Sequence, residues 1–476
     1  MRCYRDLFIG SLERPSMFGL IAAIIFLLVP AFAGAQPILD DDAESTSEPD
    51  ASASSLVETK DVDLLTVQEA GVVKIPMAIP EFKNLGTAHG DLARKFADII
   101  TGDMQMSGEF EVIDRVRYIE DPQLAGVTSG TFAMDDWKLL GPKYLIKGAY
   151  KQEGENLTIA CRLYNVELNS MLVGKEYKGA PDDAYKMIHL FSNEVFLAIF
   201  GHKSFFGTQI AFVSGSQSNR EVYIMDVDGR RKRRMTNLGF FAMSPKWSPD
   251  AKKIVFAAVG DTIQPSIYML DVASGRVNKV ISVDDGVALT PEFTPDGRML
   301  VASFSFSGNT ETYELTFDGK IKRNLTNHWA IDMAPAYSPD GKQMLFISDR
   351  TGMPQVHKMD ADGSNQRRIS YFGTYNQSPT WAPRGEKIAY SSREYNHYTI
   401  YLIDEDGGEP YALTADMRDS CEYPSFSPDG RALAFACETK TGRAVYLRST
   451  NDTYTTQLTK GTSYDSSPSW SPVPAW

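Results

Sequence analysis

Pro468-Ser-Trp-Ser-Pro472 is the last member of a series that begins at Pro245-Lys-Trp-Ser-Pro. Between them stand Pro291-Glu-Phe-Thr-Pro, Pro335-Ala-Tyr-Ser-Pro, Pro379-Thr-Trp-Ala-Pro and Pro424-Ser-Phe-Ser-Pro. The first residues of successive copies lie 46, 44, 44, 45 and 44 apart. A fixed period near 45 marks a repeat architecture, in which each unit buries its apolar face against the next. Behind three copies stands the tight-turn pair Asp-Gly, at Asp296-Gly297, Asp340-Gly341 and Asp429-Gly430. Apolar strands follow in each unit, such as Met344-Leu-Phe-Ile-Ser and Leu433-Ala-Phe-Ala, then Ile267-Tyr-Met-Leu-Asp and its counterparts. A short polar strand such as Arg367-Arg-Ile-Ser ends the unit. Four strands per repeat of this length predict a propeller blade.

The two ends of the array fit together. The sixth copy is followed by only four residues, whereas Gln209-Ile-Ala-Phe-Val-Ser and Glu221-Val-Tyr-Ile-Met-Asp precede the first copy. The expectation is a six-bladed all-β propeller over residues 204–476. Its C-terminus supplies the innermost strand of a blade whose other strands stand at the start, which leaves no free lateral edge.

Upstream, residues 64–203 read as a smaller α+β domain. Val73-Lys-Ile-Pro-Met-Ala-Ile-Pro is a strand whose prolines suggest an edge or terminal position. Leu92, Phe96, Ile99 and Ile100 share one face of a helix, and Tyr185, Ile188, Val195 and Ile199 share a face of a second that Gly201 can stop. Phe110-Glu-Val-Ile-Asp, Tyr144-Leu-Ile-Lys-Gly-Ala-Tyr, Leu157-Thr-Ile-Ala-Cys-Arg-Leu-Tyr and Met171-Leu-Val-Gly-Lys-Glu-Tyr are further strands. Two helices on one mixed sheet is the economical arrangement. Residues 36–63 carry Asp40, Asp41, Asp42, Glu44, Glu48 and Asp50 with few large apolar side chains, which predicts a disordered acidic linker. Arg2, Arg5 and Arg14, the apolar run from Met17 and the site Ala33-Gly-Ala35 predict a signal peptide over residues 1–35. Its removal would leave Cys161, Cys421 and Cys437, of which the last two could pair.

The 48 Lys and Arg against 61 Asp and Glu give a net charge of −13, which argues against a general nucleic-acid binder. No Gly-x-Ser-x-Gly and no His-Glu-x-x-His occurs, and no glycine-rich loop joins a strand to a helix. His89, His189 and His202 share no metal-ligand spacing, and His328, His357 and His397 fall at different blade positions. Each Asp of the Asp-Gly turns is read as capping its own backbone rather than holding calcium. Arg230-Arg-Lys-Arg-Arg234 falls on an outer edge strand, where charge discourages edge pairing. The aromatic of each Pro-x-aromatic element is read as inter-blade core. These observations predict no catalytic residues, no metal site and no cofactor. The competing class is a propeller enzyme, a calcium-dependent lactonase or lyase.

The segments before each Pro-x-aromatic lead into innermost strands, so they are expected to ring one mouth of the channel. The residues predicted to meet a partner there are Met243, Ser244, Leu289, Thr290, Asp332, Met333, Ala334, Asn376, Gln377, Ser378, Glu422, Tyr423, Ser466 and Ser467. Their mixed apolar and polar character suits a protein contact surface.

From residue 64 onward the order of parts resembles the TolB family, the periplasmic propellers of the Tol–Pal system. The features that carry the resemblance are Ile75-Pro-Met-Ala-Ile-Pro-Glu-Phe, Phe110-Glu-Val-Ile-Asp-Arg, Leu145-Ile-Lys-Gly-Ala-Tyr and the closing Pro468-Ser-Trp-Ser-Pro. The acidic stretch 36–63 is a departure from that pattern. The resemblance implies a periplasmic, monomeric, non-enzymatic adaptor, peripheral to membranes and not inserted in them. It would bind the peptidoglycan-associated lipoprotein Pal at the propeller mouth and couple to TolA and other inner-membrane Tol proteins. The implied role is to maintain outer-membrane integrity and support cell division.

Overall fold

The computed structural model describes residues 73–86, 91–260, 264–306, 309–395 and 397–472. The predicted signal peptide, the acidic linker and His89 lie outside the described residues.

The first part is a mixed sheet with helices. Its elements are β1 (Ile75–Ala78), β2 (Lys83–Asn84), α1 (Leu92–Met106), β3 (Phe110–Val112), α2 (Met134–Leu140), β4 (Tyr144–Glu153), β5 (Asn156–Asn165), β6 (Ser170–Gly179) and α3 (Ala184–Phe200). The strand order is β3-β1-β4-β5-β6, with β2 beside β4. β1 runs parallel to β3 and β4, and β4, β5 and β6 are antiparallel. α1 buries Phe96, Ile99, Ile100 and Met104, and α3 buries Ile188, Phe191, Val195 and Phe196 in the same core. Gly201 ends α3 at φ +79, its N–H donating to the Leu197 carbonyl, a conformation that costs glycine nothing.

Two expectations need correction. β1 is interior rather than an edge, with β3 and β4 on its two sides. Pro76 is tolerated there because the β1–β4 ladder starts only at Met77↔Tyr144, one residue later. The Pro76 carbonyl still accepts from the Lys143 N–H at 2.8 Å. Two helices on one sheet was also one too few. α2 lies on the opposite face, where Met134 and Trp137 pack with Ala78, Leu145, Tyr164 and Val166. Its seven residues, with acids in the first turn, were too short to show a period.

The second part is built of four-stranded antiparallel units, the first two of which are joined into one eight-stranded sheet by a parallel pairing of Phe241 with Arg220. The strands are β7 (Gln209–Gly215), β8 (Arg220–Asp226), β9 (Arg233–Arg234), β10 (Phe241–Trp247), β11 (Lys253–Val259), β12 (Ser266–Asp271) and β13 (Val277–Ile281). Then come β14 (Val287–Phe293), β15 (Leu300–Phe306), β16 (Asn309–Leu315), β17 (Ile321–Asn324), β18 (Asp332–Tyr337), β19 (Gln343–Ser348), β20 (Gln355–Asp360) and β21 (Arg367–Arg368). The last are β22 (Tyr375–Trp381), β23 (Lys387–Glu394), β24 (His397–Asp404), β25 (Tyr411–Ala412), β26 (Cys421–Phe426), β27 (Ala432–Thr439), β28 (Gly442–Ser449), β29 (Thr455–Gln457) and β30 (Ser466–Trp470). β10–β13, β14–β17, β18–β21, β22–β25 and β26–β29 pair in chain order within each unit. β30 pairs antiparallel with β7, with Trp470 opposite Ile210, so the last strand completes a unit with β7, β8 and β9.

Turn chemistry repeats with the strands. Ser248, Thr294, Ser338 and Ser427 each donate a hydroxyl to the Asp two residues on, at 2.6–2.8 Å. That carboxylate also accepts the backbone N–H two residues further along. The Asp residues therefore cap their own turns. The indoles stitch units together. Trp247 Nε1–H donates to the Ser469 carbonyl and Trp381 Nε1–H to the Ala336 carbonyl, both at 3.1 Å. Cys421 and Cys437, opposite each other on β26 and β27, form a disulfide, and Cys161 is buried and free.

The two parts share one apolar core, since Phe205, Ile210, Val445 and Trp470 cluster with Phe110, Phe196 and Met104. Polar contacts cross the same boundary. Lys74 pairs with Asp452 at 2.5 Å, and Arg431 pairs with Glu109. His189 of α3 lies buried with Nδ1 2.9 Å from Asp103 of α1 and Nε2 3.7 Å from Asp228, in the turn after β8. Burial alone would depress this imidazole. The two carboxylates more than reverse that and hold its pKa at about 10. The basic run is engaged locally: Arg231 pairs with Asp226, Arg234 with Glu221 at 3.0 Å and Lys232 with Asp465 at 3.5 Å. Arg230 lies 4.9 Å above the Tyr185 ring. Among the described residues, no helix is long and apolar enough to cross a membrane.

Candidate functional site at the propeller mouth

The innermost strands each carry one kink at the same place. Ser244, Thr290, Ala334, Ser378, Tyr423 and Ser467 have φ of +49, +45, +55, +53, +58 and +50. Each precedes the proline of its Pro-x-aromatic element, and each strand's register shifts there. For a β-branched Thr or a bulky Tyr such a φ is unfavourable, and it persists only where the surroundings impose it. Bulges of this kind bend a strand and re-aim its side chains. The kinked amides are tied to the preceding unit. Ala334 N–H donates to Ser303 Oγ at 3.1 Å and Tyr423 N–H to Ser391 Oγ at 3.2 Å.

Together the six kinks and the prolines behind them line a narrow cavity of about 70 Å³, which Lys246 also borders. A larger open groove of about 980 Å³ lies at the other end of β18–β24, lined by Asp340, Asp360, Arg384 and Glu405. The channel is the stronger candidate because all six units contribute to it. The groove belongs to two neighbouring units and is lined by turn residues that already cap themselves.

The fourteen sequence-predicted mouth residues separate into two groups. Met243, Ser244, Thr290, Met333, Ala334, Gln377, Ser378, Tyr423 and Ser467 are half-buried, and of these Ser244, Thr290, Ala334, Ser378, Tyr423 and Ser467 line the channel. The other five are buried and engaged inward; all fourteen lie within strands rather than in the loops that lead into them. Leu289 packs with Ala257, Val287 and Met243. Asp332 accepts from Arg350 Nη2 at 2.8 Å, and burial still raises its pKa against the pull of Ser348 and Arg350. Asn376 Nδ2 donates to Gln355, Ser370 and the Phe372 carbonyl at 2.8–3.0 Å. Glu422 accepts from Gln377 Nε2 at 2.7 Å and pairs with Arg443. Ser466 Oγ accepts from Arg220 at 3.4 Å. These five brace the rim and offer a partner little.

The ring histidines do not converge. His357 is buried, and that burial lowers its pKa to about 4. Among the described residues, no group of three or more His, Cys, Asp or Glu is placed to share a metal ion. Sequence reasoning missed the exposed Trp329, Met353, Tyr371, Phe372 and Tyr395. The available signal was large apolar residues in connectors that are otherwise polar.

These features define a two-part protein, a small mixed-sheet domain joined to a β-propeller whose innermost strands converge on a narrow mouth. A family described as "TolB beta propeller domain" matches residues 196–473, and one described as "TolB amino-terminal domain" matches residues 64–172. The chain belongs to the TolB family. It is similar to the "Tol-Pal system protein TolB" of Desulfosudis oleivorans, 32% identical over 56% of this chain and 61% of that protein. The protein of the same name in Syntrophus aciditrophicus is 34% identical over 44% of this chain and 47% of its own. The chain thus spans less than two thirds of the length of these relatives. The crystal structure of TolB from Acinetobacter baumannii superposes with a TM-score of 0.73 at 26% identity, covering 84% of this chain and 97% of that one.

Proposed function

We propose that this chain is a periplasmic, non-enzymatic adaptor of the Tol–Pal system. Its mouth receives the peptidoglycan-associated lipoprotein Pal, and it couples that lipoprotein to TolA and other inner-membrane Tol proteins. This linkage serves outer-membrane integrity and division. In this reading residues 1–35 are a cleaved signal and 36–63 a linker. Residues 64–203 and 204–476 are then the two domains, the latter a ring of six blades closed by β30. The supporting observation is the mouth itself. Every unit contributes a kinked small or aromatic residue there, and the carboxylates at the rim, Asp332 and Glu422, are neutralised by Arg350 and Arg443. Such a surface offers shape and hydrogen bonds, which suits docking of a folded partner.

The test is calorimetric titration of the chain, from residue 36 onward, with the soluble domain of the peptidoglycan-associated lipoprotein from the same organism. Saturable 1:1 binding is expected. It should be weakened at least about 30-fold, roughly 2 kcal/mol, by Met243→Arg or Met333→Arg, with circular dichroism confirming that each variant is folded at the titration temperature. Absence of binding, together with turnover of an ester, lactone or glycoside substrate abolished by a single mouth substitution, would replace this reading with the propeller enzyme.

A further inference from the structure

The mouth end of the propeller is not uniform. β18 starts at this end with Asp332, β19 returns to it at Ser348 and β20 leaves it from Gln355, since these residues stand opposite one another. The connector before β18, the β19–β20 turn and the connector before β22 therefore all lie at the mouth. They carry Trp329, which is 78% exposed, Met353 at 48%, Tyr371 at 73% and Phe372 at 41%. Elsewhere at this end, in the connector before β14 and the segment before β26, the exposed residues include Asp284, Asp285, Asp416, Arg418 and Asp419.

The connectors that carry these residues are tied to one another. The Ile331 N–H donates to Asp349 Oδ1 at 2.9 Å, joining the Trp329 connector to the turn that holds Met353. Arg368 Nη1 donates to Thr351 Oγ1 at 3.3 Å, joining that turn to the end of β21, and the same guanidinium lies 4.7 Å above the Tyr371 ring. Phe372 packs against Tyr401 of the next unit at 5.1 Å. Arg393 then stacks 4.6 Å above Tyr375. Of the nearby carboxylates, Asp332 is held by Arg350 and Asp349 by a backbone amide. Glu311 accepts from the His328 N–H at 2.8 Å beside Trp329, and Glu394 lies on the same hairpin as Arg393. In a chain of net charge −13, this corner instead presents two guanidiniums stacked on aromatic rings beside exposed Trp, Tyr, Phe and Met. Arg, Trp and Tyr are the residue types that dominate binding energy at protein interfaces. An exposed apolar patch of this kind marks an interaction site.

We propose that the rim formed by Trp329, Met353, Tyr371 and Phe372, flanked by Arg368 and Arg393, is the anchor for the protein that docks at the mouth. Its occupant is a partner segment with an apolar tip flanked by carboxylates. The apolar tip covers the exposed rings, and the carboxylates engage the stacked guanidiniums, whose planar forks match that group. The assignment rests on the mouth being a partner site and adds where the energy lies: on one side, over two neighbouring units, rather than evenly around the channel.

The experiment titrates the chain from residue 36 onward with the soluble domain of the peptidoglycan-associated lipoprotein. The panel is wild type, Trp329→Ala, Tyr371→Ala, Arg368→Glu and, outside the rim in the connector before β14, Asp285→Ala. Both aromatic truncations are expected to weaken binding at least about 30-fold. Arg368→Glu should weaken it and also reduce its salt dependence, while Asp285→Ala stays within about threefold. Wild-type binding with all rim variants unchanged overturns the anchor and leaves the mouth reading standing. No binding by wild type overturns both. Sedimentation of each protein separates one further case: a wild-type dimer that Trp329→Ala converts to monomer would assign the rim to a second copy of this chain and overturn the proposed partner. Trp329 and Tyr371 are solvent-exposed, so unchanged melting temperatures are expected for their variants; Arg368 is half-buried with Nε donating to the Ser370 carbonyl, so circular dichroism checks that its variant is folded at the titration temperature.

Discussion

Replacing Trp470 with Ala tests how the ends of the propeller are held. The indole is 6% exposed and meets Phe205 edge-to-face at 5.2 Å. Its Nε1–H donates to Thr208 Oγ1 at 2.7 Å, and its backbone N–H donates to Ser425 Oγ of the preceding unit at 3.0 Å. Removing a buried Trp costs about 3–5 kcal/mol. The lost hydrogen bond, worth about 1 kcal/mol, falls within that range. Trp470→Phe keeps most of the apolar contact and should cost roughly 1–2 kcal/mol by the same reasoning. For a domain of this size about 1 kcal/mol moves the melting temperature by roughly 2–4 °C. The Ala variant should therefore melt about 10 °C lower, read by circular dichroism or calorimetry under oxidising conditions. Trp381, which occupies the matching position in an internal unit, supplies the control, since Trp381→Ala should cost a similar amount. If Trp470→Ala melts within about 1 °C of wild type while Trp381→Ala falls as expected, the terminal strand is dispensable and the reasoning from β30 fails.

Three further outcomes follow from the buried contacts. His189 has its pKa raised from 6.5 to about 10, so the stability it contributes is complete below pH 6.5 and is lost as the pH rises towards 10; urea denaturation across that window should show the loss, and His189→Gln should flatten it. The Cys421–Cys437 bridge closes a loop of sequence separation 16, for which the chain-entropy relation gives about 3 kcal/mol. The Cys421→Ala/Cys437→Ala variant should thus melt well below wild type, and equal midpoints would show that the bridge adds nothing. Gly108 sits at φ +75, and an added Cβ would stand 2.3 Å from Ser449 Oγ across the boundary between the two parts. Gly108→Ala should accordingly loosen that boundary, with faster proteolysis of the segment between α3 and β7 at an unchanged fold of each part.

The repeat, its turn chemistry and its pairing partners were legible because they depend on residues close in sequence. Ser-Pro-Asp-Gly caps itself within four residues, and strand alternation needs only a period of two. The pre-proline position was also legible as the place where the units meet, since the same spacing recurs six times. The conformation there was not legible: nothing local in Thr290 or Tyr423 announces a positive φ, which neighbouring units impose. Tertiary packing also decided that Pro76 could sit inside a sheet, because the ladder that would need its amide begins one residue later. It decided that Asp332, Asn376 and Glu422 turn inward, because Arg350, Gln355 and Arg443 reach them from elsewhere in the chain. It brought His189 between two aspartates 86 residues before and 39 residues after it, and Cys421 opposite Cys437. Side chains that face a partner are chosen by register and by which neighbours arrive to neutralise them, and both are settled only when strands distant in sequence come together.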